Sequence, residues 1–227
     1  MNSTIDTVVL DLDGTLVDSV YVHALCWHAA FRDVGVHVAS HHIHRAIGMG
    51  SDRLVAHVAG DPVERAMGDE VRRRHAHHLG QRFGEITATP GAAAMLEALH
   101  DRGLRLVLAS SGERDQAQPM LDLVEGAQRL LMDTVSGSDA EHSKPAGDLV
   151  SQALQAVGAA PECAVLIGDA VWDARAGAEA KVACIGVLTG GITEAELREA
   201  GCTEVYDTPG DLVERLSASP LLGGAGR

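Results

Sequence analysis

Carboxylate, hydroxyl and amine side chains mark four places in this sequence: Asp11 with Asp13, Ser110, Lys144, and Asp169 with Asp173. Carboxylates two residues apart, such as Asp11 and Asp13, can divide the roles of nucleophile and acid/base catalyst. Gly14 permits a tight turn after this pair, and Thr15 supplies a hydroxyl group. A calcium loop is a poor alternative, because position twelve counted from Asp11 is Val22 and not a glutamate.

Charge balance connects the acidic groups. The four aspartates would bring up to four negative charges together, which costs several kcal/mol unless cations neutralise them. A bound phosphate dianion would increase that cost. Oxygen ligands together with a phosphate oxygen suit Mg²⁺. We therefore expect Mg²⁺ at this site, with Asp11, Asp13, Asp169 and Asp173 as the residues around it, and we expect Asp13 to hold a proton and act as an acid.

The phosphate partners are a lysine and a serine loop. Lys144 is one of only two lysines in a chain that otherwise uses arginine, which indicates a role that arginine fills less well. We expect Lys144 to contact both the phosphate and the nucleophile carboxylate. The hydroxyl of Ser110 and the N–H groups of the loop that begins at Ser111 would bind phosphate oxygens.

Strand and helix patterns alternate along most of the chain. The predicted strands are 7–10, 104–109, a segment near 134–135, 164–167, 182–187 and a segment near Val205. The predicted helices are 20–31, one that runs from Thr89 to about 101, one or two within 113–131, 147–157, 172–180, 193–200 and 209–217. Thr89 is expected to cap its helix. Pro119 is expected to kink or break the helix that follows. Residues 220–227 are expected to form a frayed tail.

The alternation predicts an α/β fold, a Rossmann-like parallel sheet flanked by helices. Helical patterning without a strand signal fills 19–86, directly after the first strand. This indicates an α-helical cap domain (19–86) inserted into a core domain (1–18 and 87–227). The carboxyl ends of parallel strands form the usual ligand site of such a sheet, and the four places named above lie there.

Composition excludes several classes of partner. The net charge is -14 and the sequence pI about 5.2, which opposes binding to nucleic acid or to an anionic membrane surface. The N-terminus lacks the pattern of a secretory signal, and no apolar run has the length of a membrane span. The four cysteines form no C-x-x-C pair, so we expect reduced structural thiols in a cytoplasmic protein.

Four ordered motifs resemble the haloacid dehalogenase superfamily in its phosphatase branch. They are Asp11-Leu12-Asp13-Gly14-Thr15-Leu16, then Ser110, then Ser143-Lys144-Pro145, then Gly168-Asp169-Ala170-Val171-Trp172-Asp173. The similarity spans about residues 5–216, and the helical insert looks like the cap of phosphoglycolate phosphatase and β-phosphoglucomutase. The last motif departs from the usual pattern, since Ala170 stands where the family often has Ser or Thr.

The resemblance implies a role for each motif residue. Asp11 would attack phosphorus, and Asp13 would protonate the leaving group and then activate water. Asp11, the backbone carbonyl of Asp13, and Asp169 would bind Mg²⁺, and Asp173 would bind it through water or orient the other ligands. Lys144 and Ser110 would hold the phosphate. The expected activity is hydrolysis of a small phosphorylated metabolite by a monomer, with a dimer as the alternative.

Other activities fit the motifs less well. A dehalogenase lacks the second aspartate, and a phosphonatase needs a cap lysine, which 19–88 does not contain. A sugar phosphomutase uses the same intermediate and stays as the alternative, because cap arginines could hold a second phosphate. A non-catalytic phosphate-binding protein is less consistent with the complete set of charged residues.

Several cap residues allow two interpretations. The histidine clusters at 37–44 and 75–78 favour a solvated surface over a zinc site. The turn Gly48-Met49-Gly50 either faces the active site or only joins two helices. The run Arg72-Arg73-Arg74 favours a solvated helix face over a substrate clamp. Trp27 and Phe31 are expected in the cap core, and His23 is a candidate for substrate contact.

Overall fold

The computed structural model describes residues 4–137 and 144–223. Ser143, a member of the third motif, lies outside the described residues. The strands are β1 (Thr7–Leu10), β2 (Val17–Asp18), β3 (Thr87–Ala88), β4 (Arg105–Ser110), β5 (Asp133–Ser136), β6 (Ala164–Gly168), β7 (Ala183–Val187) and β8 (Cys202–Tyr206). The helices are α1 (Val20–Asp33), α2 (Ser40–Ala46), α3 (Ser51–Ala59), α4 (Asp61–Arg82), α5 (Ala92–Asp101), α6 (Arg114–Leu121), α7 (Ala127–Leu130), α8 (Asp148–Ala156), α9 (Val171–Ala180), α10 (Glu194–Ala200) and α11 (Pro209–Glu214).

Six strands form one sheet in the order β5-β4-β1-β6-β7-β8, and every neighbouring pair is parallel. All four residues of β1 are buried, as expected for a central strand with helices on both faces. Leu10 pairs with Leu108 of β4 and Ile167 of β6, so the three central strands end at about the same level. The predicted Rossmann-like α/β class is confirmed, and this register places the motif loops at one edge of the sheet.

The helices α1 to α4 pack around a hydrophobic cluster of their own, which includes Trp27, Phe31, Ile43, Leu54 and Val71. The predicted burial of Trp27 and Phe31 is confirmed. The two connections to this helical segment run side by side, because β2 pairs antiparallel with β3. The exact division at residues 18 and 87 stays a prediction.

Two helix predictions were wrong in detail. The helix predicted from Thr89 begins at Ala92 and its N-cap is Gly91, whose left-handed φ of 84° suits glycine. A Cβ at Gly91 would collide with Gly210, so close backbone packing decides where α5 starts. Pro119 lies inside α6, and the helical region breaks after Leu121 instead.

The C-terminal segment is more ordered than predicted. α11 ends at Glu214, and a 3₁₀ turn follows at Leu216–Ala218. Leu222 is fully buried, and Leu221 N–H donates a 2.8 Å hydrogen bond to the buried carboxylate of Glu204. The expectation of fraying from residue 220 is therefore wrong up to residue 223, and residues 224–227 lie outside the described part. Within the described ranges, no helix has the length and apolar character to cross a membrane. The four cysteines are free thiols.

Candidate active site

The nucleophile candidate is held at the end of the central strand. Asp11 is 3% exposed, and its N–H donates to the carbonyl of Ile167 at 3.0 Å, which continues the ladder one residue beyond β1. The chain then turns tightly, and the carbonyl of Leu12 accepts hydrogen bonds from Leu16 and Val17 N–H at 2.8 and 3.0 Å. Gly14 has a φ of 82°, and a Cβ there would strike the Asp169 carboxylate. The turn therefore requires glycine for two reasons.

Lys144 joins two of the acidic groups. Its Nζ donates to Asp11 Oδ1 and lies 2.7 Å from Asp173 Oδ1, and the lysine side chain is fully buried. Burial alone would lower the pKa of Lys144, but the charges of Asp11 and Asp173 outweigh burial and raise this pKa. The ammonium group is therefore a permanent positive charge at the edge of the sheet.

Three carboxylates surround that charge. Asp11, Asp169 and Asp173 each place one oxygen within 4.8 Å of the others, and all three are buried. Burial raises the pKa of Asp11 to about 7, with the negative charges of Asp173 and Asp13 adding to the effect and Lys144 opposing it. Burial, and then the charges of Asp11 and Asp173, also raise the pKa of Asp169. One lysine is thus too little positive charge for this cluster.

A divalent cation fits the missing charge. The donors are hard carboxylate oxygens that lie within 4.8 Å of one another, and their mutual charge raises the pKa of both Asp11 and Asp169 beyond the effect of burial. The predicted metal residues Asp11, Asp169 and Asp173 are thus brought together. The carboxylate of Asp13 lies apart from them and contacts the helical segment, so a backbone contribution from Asp13 to the metal stays a prediction.

Neighbouring groups fix the two aspartates of the last motif. Thr15 Oγ1 donates to Asp169 Oδ1 at 3.0 Å, and the N–H of Ala170 donates to Asp173 Oδ2 at 3.0 Å. The second contact places Asp173 over the first turn of α9. At Gly190 a Cβ would collide with Asp169. The carboxylates are thus oriented before any ligand binds.

Asp13 faces a different set of partners. Ser19 Oγ donates to Asp13 Oδ1 at 2.5 Å, and His23 Nε2 lies 3.0 Å from the same oxygen. Burial alone would raise the pKa of Asp13, but the charge and hydrogen bond of His23, with the Ser19 hydrogen bond, lower it overall. The lowered pKa favours an ionised Asp13 in this arrangement, so the expectation that Asp13 holds a proton and acts as an acid stays a prediction. The sequence did not reveal the neighbouring imidazole.

A second histidine lies behind the first. His75 Nε2 is 3.1 Å from His23 Nδ1, and the His75 ring stacks on Trp27 with a centroid distance of 4.0 Å. Burial, followed by the proximity of His23, lowers the pKa of His75 well below its ordinary value. The prediction of a solvated surface is wrong for His75. Val71, His75 and Leu79 follow one another at four-residue spacing on one face of α4, and all three are buried. This spacing is the sequence signal that would have indicated burial of His75.

The two predicted phosphate serines differ in their contacts. Ser110 is fully buried, and its Oγ accepts a hydrogen bond from Gly112 N–H at 3.2 Å. Ser111 Oγ donates to the carbonyl of Gly48 at 3.2 Å, so this hydroxyl joins the core to the cap turn. Met49 lines the cavity beside Asp11, which favours the interpretation in which the turn at 48–50 faces the active site.

The cap closes over a cavity of about 140 Å³. Asp11, Asp13, His23 and Ser111 line one part of it, and Arg72 of α4 lines another. Arg72 is thus a cavity residue, whereas Arg73 and Arg74 form ion pairs with Glu70 on the exposed surface of α4. The solvated-face interpretation therefore holds for two of the three arginines.

Backbone carbonyls hold the cap loop against the core. The indole N–H of Trp172 donates to the carbonyl of Arg45 at 2.9 Å, and His44 Nε2 lies 2.9 Å from the carbonyl of Gly190. Met49 packs with Ala170 and Trp172 in a small hydrophobic cluster. Cap and core are therefore in direct contact on the side where Asp169 lies.

The family model of the haloacid dehalogenase-like hydrolases matches residues 5–181. A hydrolase from Pseudomonas syringae has the same fold, with a TM-score of 0.88, 32% sequence identity, and coverage of 93% of this chain and 98% of that chain. Validoxylamine A 7'-phosphate phosphatase of Streptomyces hygroscopicus subsp. limoneus is 27% identical over 213 residues, covering 87% of this chain and 94% of its own length. Phosphoglycolate phosphatase of Rhodospirillum rubrum is 28% identical over 235 residues, covering 95% and 96%.

Proposed function

This chain belongs to the haloacid dehalogenase-like hydrolase family, and on that premise we propose that it is a Mg²⁺-dependent phosphatase that forms an aspartyl-phosphate on Asp11. Several of its relatives are named phosphatases, and with the family match this makes the chain a phosphoric monoester hydrolase. The substrate is a small phosphorylated metabolite. The acidic net charge of -14 supports a small substrate over nucleic acid.

The environment of Asp11 is the observation that carries the mechanism. Lys144 holds Asp11 Oδ1, whereas Asp11 Oδ2 has no hydrogen-bond partner in the described structure, and Asp11 lines the cavity. A carboxylate with one oxygen fixed and the other unengaged is arranged to attack an electrophile. In the proposed first step, Oδ2 forms a bond to phosphorus while the bond from phosphorus to the leaving oxygen breaks.

The metal and the lysine prepare Asp11 for that step. Asp11, Asp169 and Asp173 would hold Mg²⁺, which would supply positive charge that keeps Asp11 ionised and offsets the charge of the phosphate. Lys144 is close enough to Asp11 to contact the phosphoryl group that is transferred there. Ser110 and the N–H groups of the loop that follows it would bind the remaining phosphate oxygens.

Asp13 carries the proton transfers, and His23 Nε2 lies 3.0 Å from its Oδ1. Asp13 would protonate the leaving oxygen as the bond from that oxygen to phosphorus breaks. After the alcohol departs, ionised Asp13 takes a proton from water, and the resulting hydroxide attacks phosphorus. The P–O bond to Asp11 breaks, which restores the carboxylate and releases inorganic phosphate.

The test is phosphate release from a panel of small phosphomonoesters with and without Mg²⁺, using Asp11→Asn as the control. Metal-dependent release that disappears in the variant supports the proposal. Full activity in Asp11→Asn would exclude Asp11 as the nucleophile. The sugar phosphomutase alternative predicts isomer interconversion in place of phosphate release, and the same reactions can be assayed for it.

A further inference from the structure

The part of the cavity beyond Asp11 and Asp13 is where the leaving group must lie. Apolar side chains of the helical segment cover much of it: Trp27, Ile47, Met49 and Leu54. The whole cavity, including the part beside Asp11 and Asp13, has a volume of about 140 Å³, which is close to that of an engineered apolar cavity that binds benzene. In this arrangement the cavity therefore suits a leaving group no larger than one six-membered ring.

Arg72 is the one arginine or lysine among the described residues that line this cavity. Its guanidinium is already paired. Nη2 lies 2.7 Å from Glu64 Oε1 and 3.0 Å from Asp69 Oδ1, and Nη1 donates to Glu64 Oε2 at 3.2 Å and to the carbonyl of Ser51 at 3.0 Å. The forked contact with Glu64 is the strong form of an arginine–carboxylate pair. The single positive charge of Arg72 thus faces two carboxylates, so no net positive charge remains for a ligand.

The other charged groups of the lining are mostly acidic. Asp11 and Asp13 lie at one end, and Glu113 adds a third carboxyl group from the core side. His23 is engaged with Asp13, and His75 is buried against His23 and Trp27. A carboxylate or second phosphate on the leaving group would lose its hydration here without meeting a free cation, which disfavours binding of such a leaving group.

We propose that the substrates of this enzyme are phosphomonoesters of uncharged alcohols with an apolar face, such as a polyol or one sugar-like ring, and not phosphates of hydroxy acids or bisphosphates. The inference rests on the proposed phosphatase function. It separates this chain from the relative that is named for phosphoglycolate, whose leaving group carries a carboxylate.

Matched pairs of substrates test the inference. Each pair has the same chain length and differs only in the remote group: 2-hydroxyethyl phosphate against 2-phosphoglycolate, glucitol 6-phosphate against 6-phosphogluconate, and glucose 6-phosphate against glucose 1,6-bisphosphate. The quantity compared is kcat/KM for phosphate release with Mg²⁺ present. We expect the neutral member to be better by about tenfold or more in each pair. Equal or better hydrolysis of the acidic members would overturn the inference.

The double variant Arg72→Gln/Glu64→Gln provides the second measurement, because it removes one positive and one negative charge and keeps the net charge beside the cavity. If Arg72 is committed to Glu64 and Asp69, the ratio of kcat/KM for acidic and neutral substrates should stay within about twofold of that of the parent enzyme. A selective loss of activity toward the acidic substrates would show that Arg72 receives their charge, which would overturn the inference. If the enzyme releases phosphate from none of the six compounds and not from p-nitrophenyl phosphate either, that result would contradict the phosphatase function itself.

Discussion

His75 Nε2 lies 3.1 Å from His23 Nδ1, and this contact orients the imidazole that reaches Asp13. The other ring nitrogen of His23, Nε2, lies 3.0 Å from Asp13 Oδ1. Trp27 stacks on His75 and holds the ring in place. The chemistry at the edge of the sheet therefore depends on a residue inside the helical segment that touches neither the reacting carboxylate nor the phosphate site.

His75→Leu should lower kcat by about tenfold with little change in KM, because His23 loses the partner that orients it. Leucine fills a similar volume, so the free energy of unfolding should change little. The control is His77→Leu on the same helix, where the ring is exposed and contacts Gln81 and His78 but not His23. Equal kcat values for the two variants would contradict the positioning role.

Binding of Mg²⁺ should depend on pH. The pKa of Asp11 is raised from 3.8 to about 7 by burial and by neighbouring carboxylates, so the metal-free site takes up a proton in the folded state. Mg²⁺ must displace this proton in order to bind. The affinity of the site for Mg²⁺ should therefore fall about tenfold for every pH unit below 7. Calorimetric titration between pH 5 and 8 measures this slope. An affinity independent of pH would contradict the raised pKa.

The same proton links stability to pH without metal. A carboxyl group whose folded-state pKa is raised contributes stability that is fully present below its ordinary pKa of 3.8 and is lost as the pH rises through about 7. In EDTA the melting temperature should therefore fall across that range through this group. Mg²⁺ should restore it most at the upper end. Asp169→Asn, which removes one metal ligand, should lose most of the restoration.

Removal of the buried ammonium group should destabilise the fold. Lys144→Met leaves Asp11 and Asp173 without their shared cation, and breaking a buried ion pair typically costs about 3–5 kcal/mol. Activity should be lost as well, because Lys144 is the one hydrogen-bond partner of Asp11 Oδ1 in the described part of the chain. Urea unfolding without metal measures the free energy. Lys181→Met is a matched control, since the second lysine of the chain is exposed, and a similar loss in both variants would contradict the argument.

The ends of the strands could be predicted because short apolar runs are followed directly by polar loop residues in the sequence. The runs at 7–10 and 164–167 placed Asp11 and Asp169 at the ends of neighbouring strands, and the structure gives β1 and β6 the parallel register that brings them together. The need to neutralise four carboxylates then indicated Lys144 as a cationic partner. The structure adds that three of these carboxylates form the cluster, while Asp13 lies against His23.

Contacts across the cap could not be predicted from one sequence. Arg72 and Glu64 are eight residues apart, and nothing in the run of three arginines shows which one turns toward the cavity. His23 and His75 are 52 residues apart and meet only because α1 packs on α4. Thr89 resembled a helix cap, but close packing of Gly91 against Gly210 decided the start of α5. Tertiary packing overrode the local signal in each case.

Gly190→Ala should weaken Mg²⁺ binding without removing a ligand. A Cβ at Gly190 would overlap the carboxylate of Asp169, which Thr15 holds on its other oxygen, so Asp169 would have to rotate out of the cluster. Affinity for Mg²⁺ should fall about 10- to 100-fold, as it does when the support of a metal ligand is lost. Gly80→Ala is the control, because a Cβ there meets no atom within 4 Å and alanine favours the helix. Unchanged affinity in Gly190→Ala, measured by calorimetry, would mean that Asp169 is free to adopt another position and that the fixed orientation does not determine metal binding.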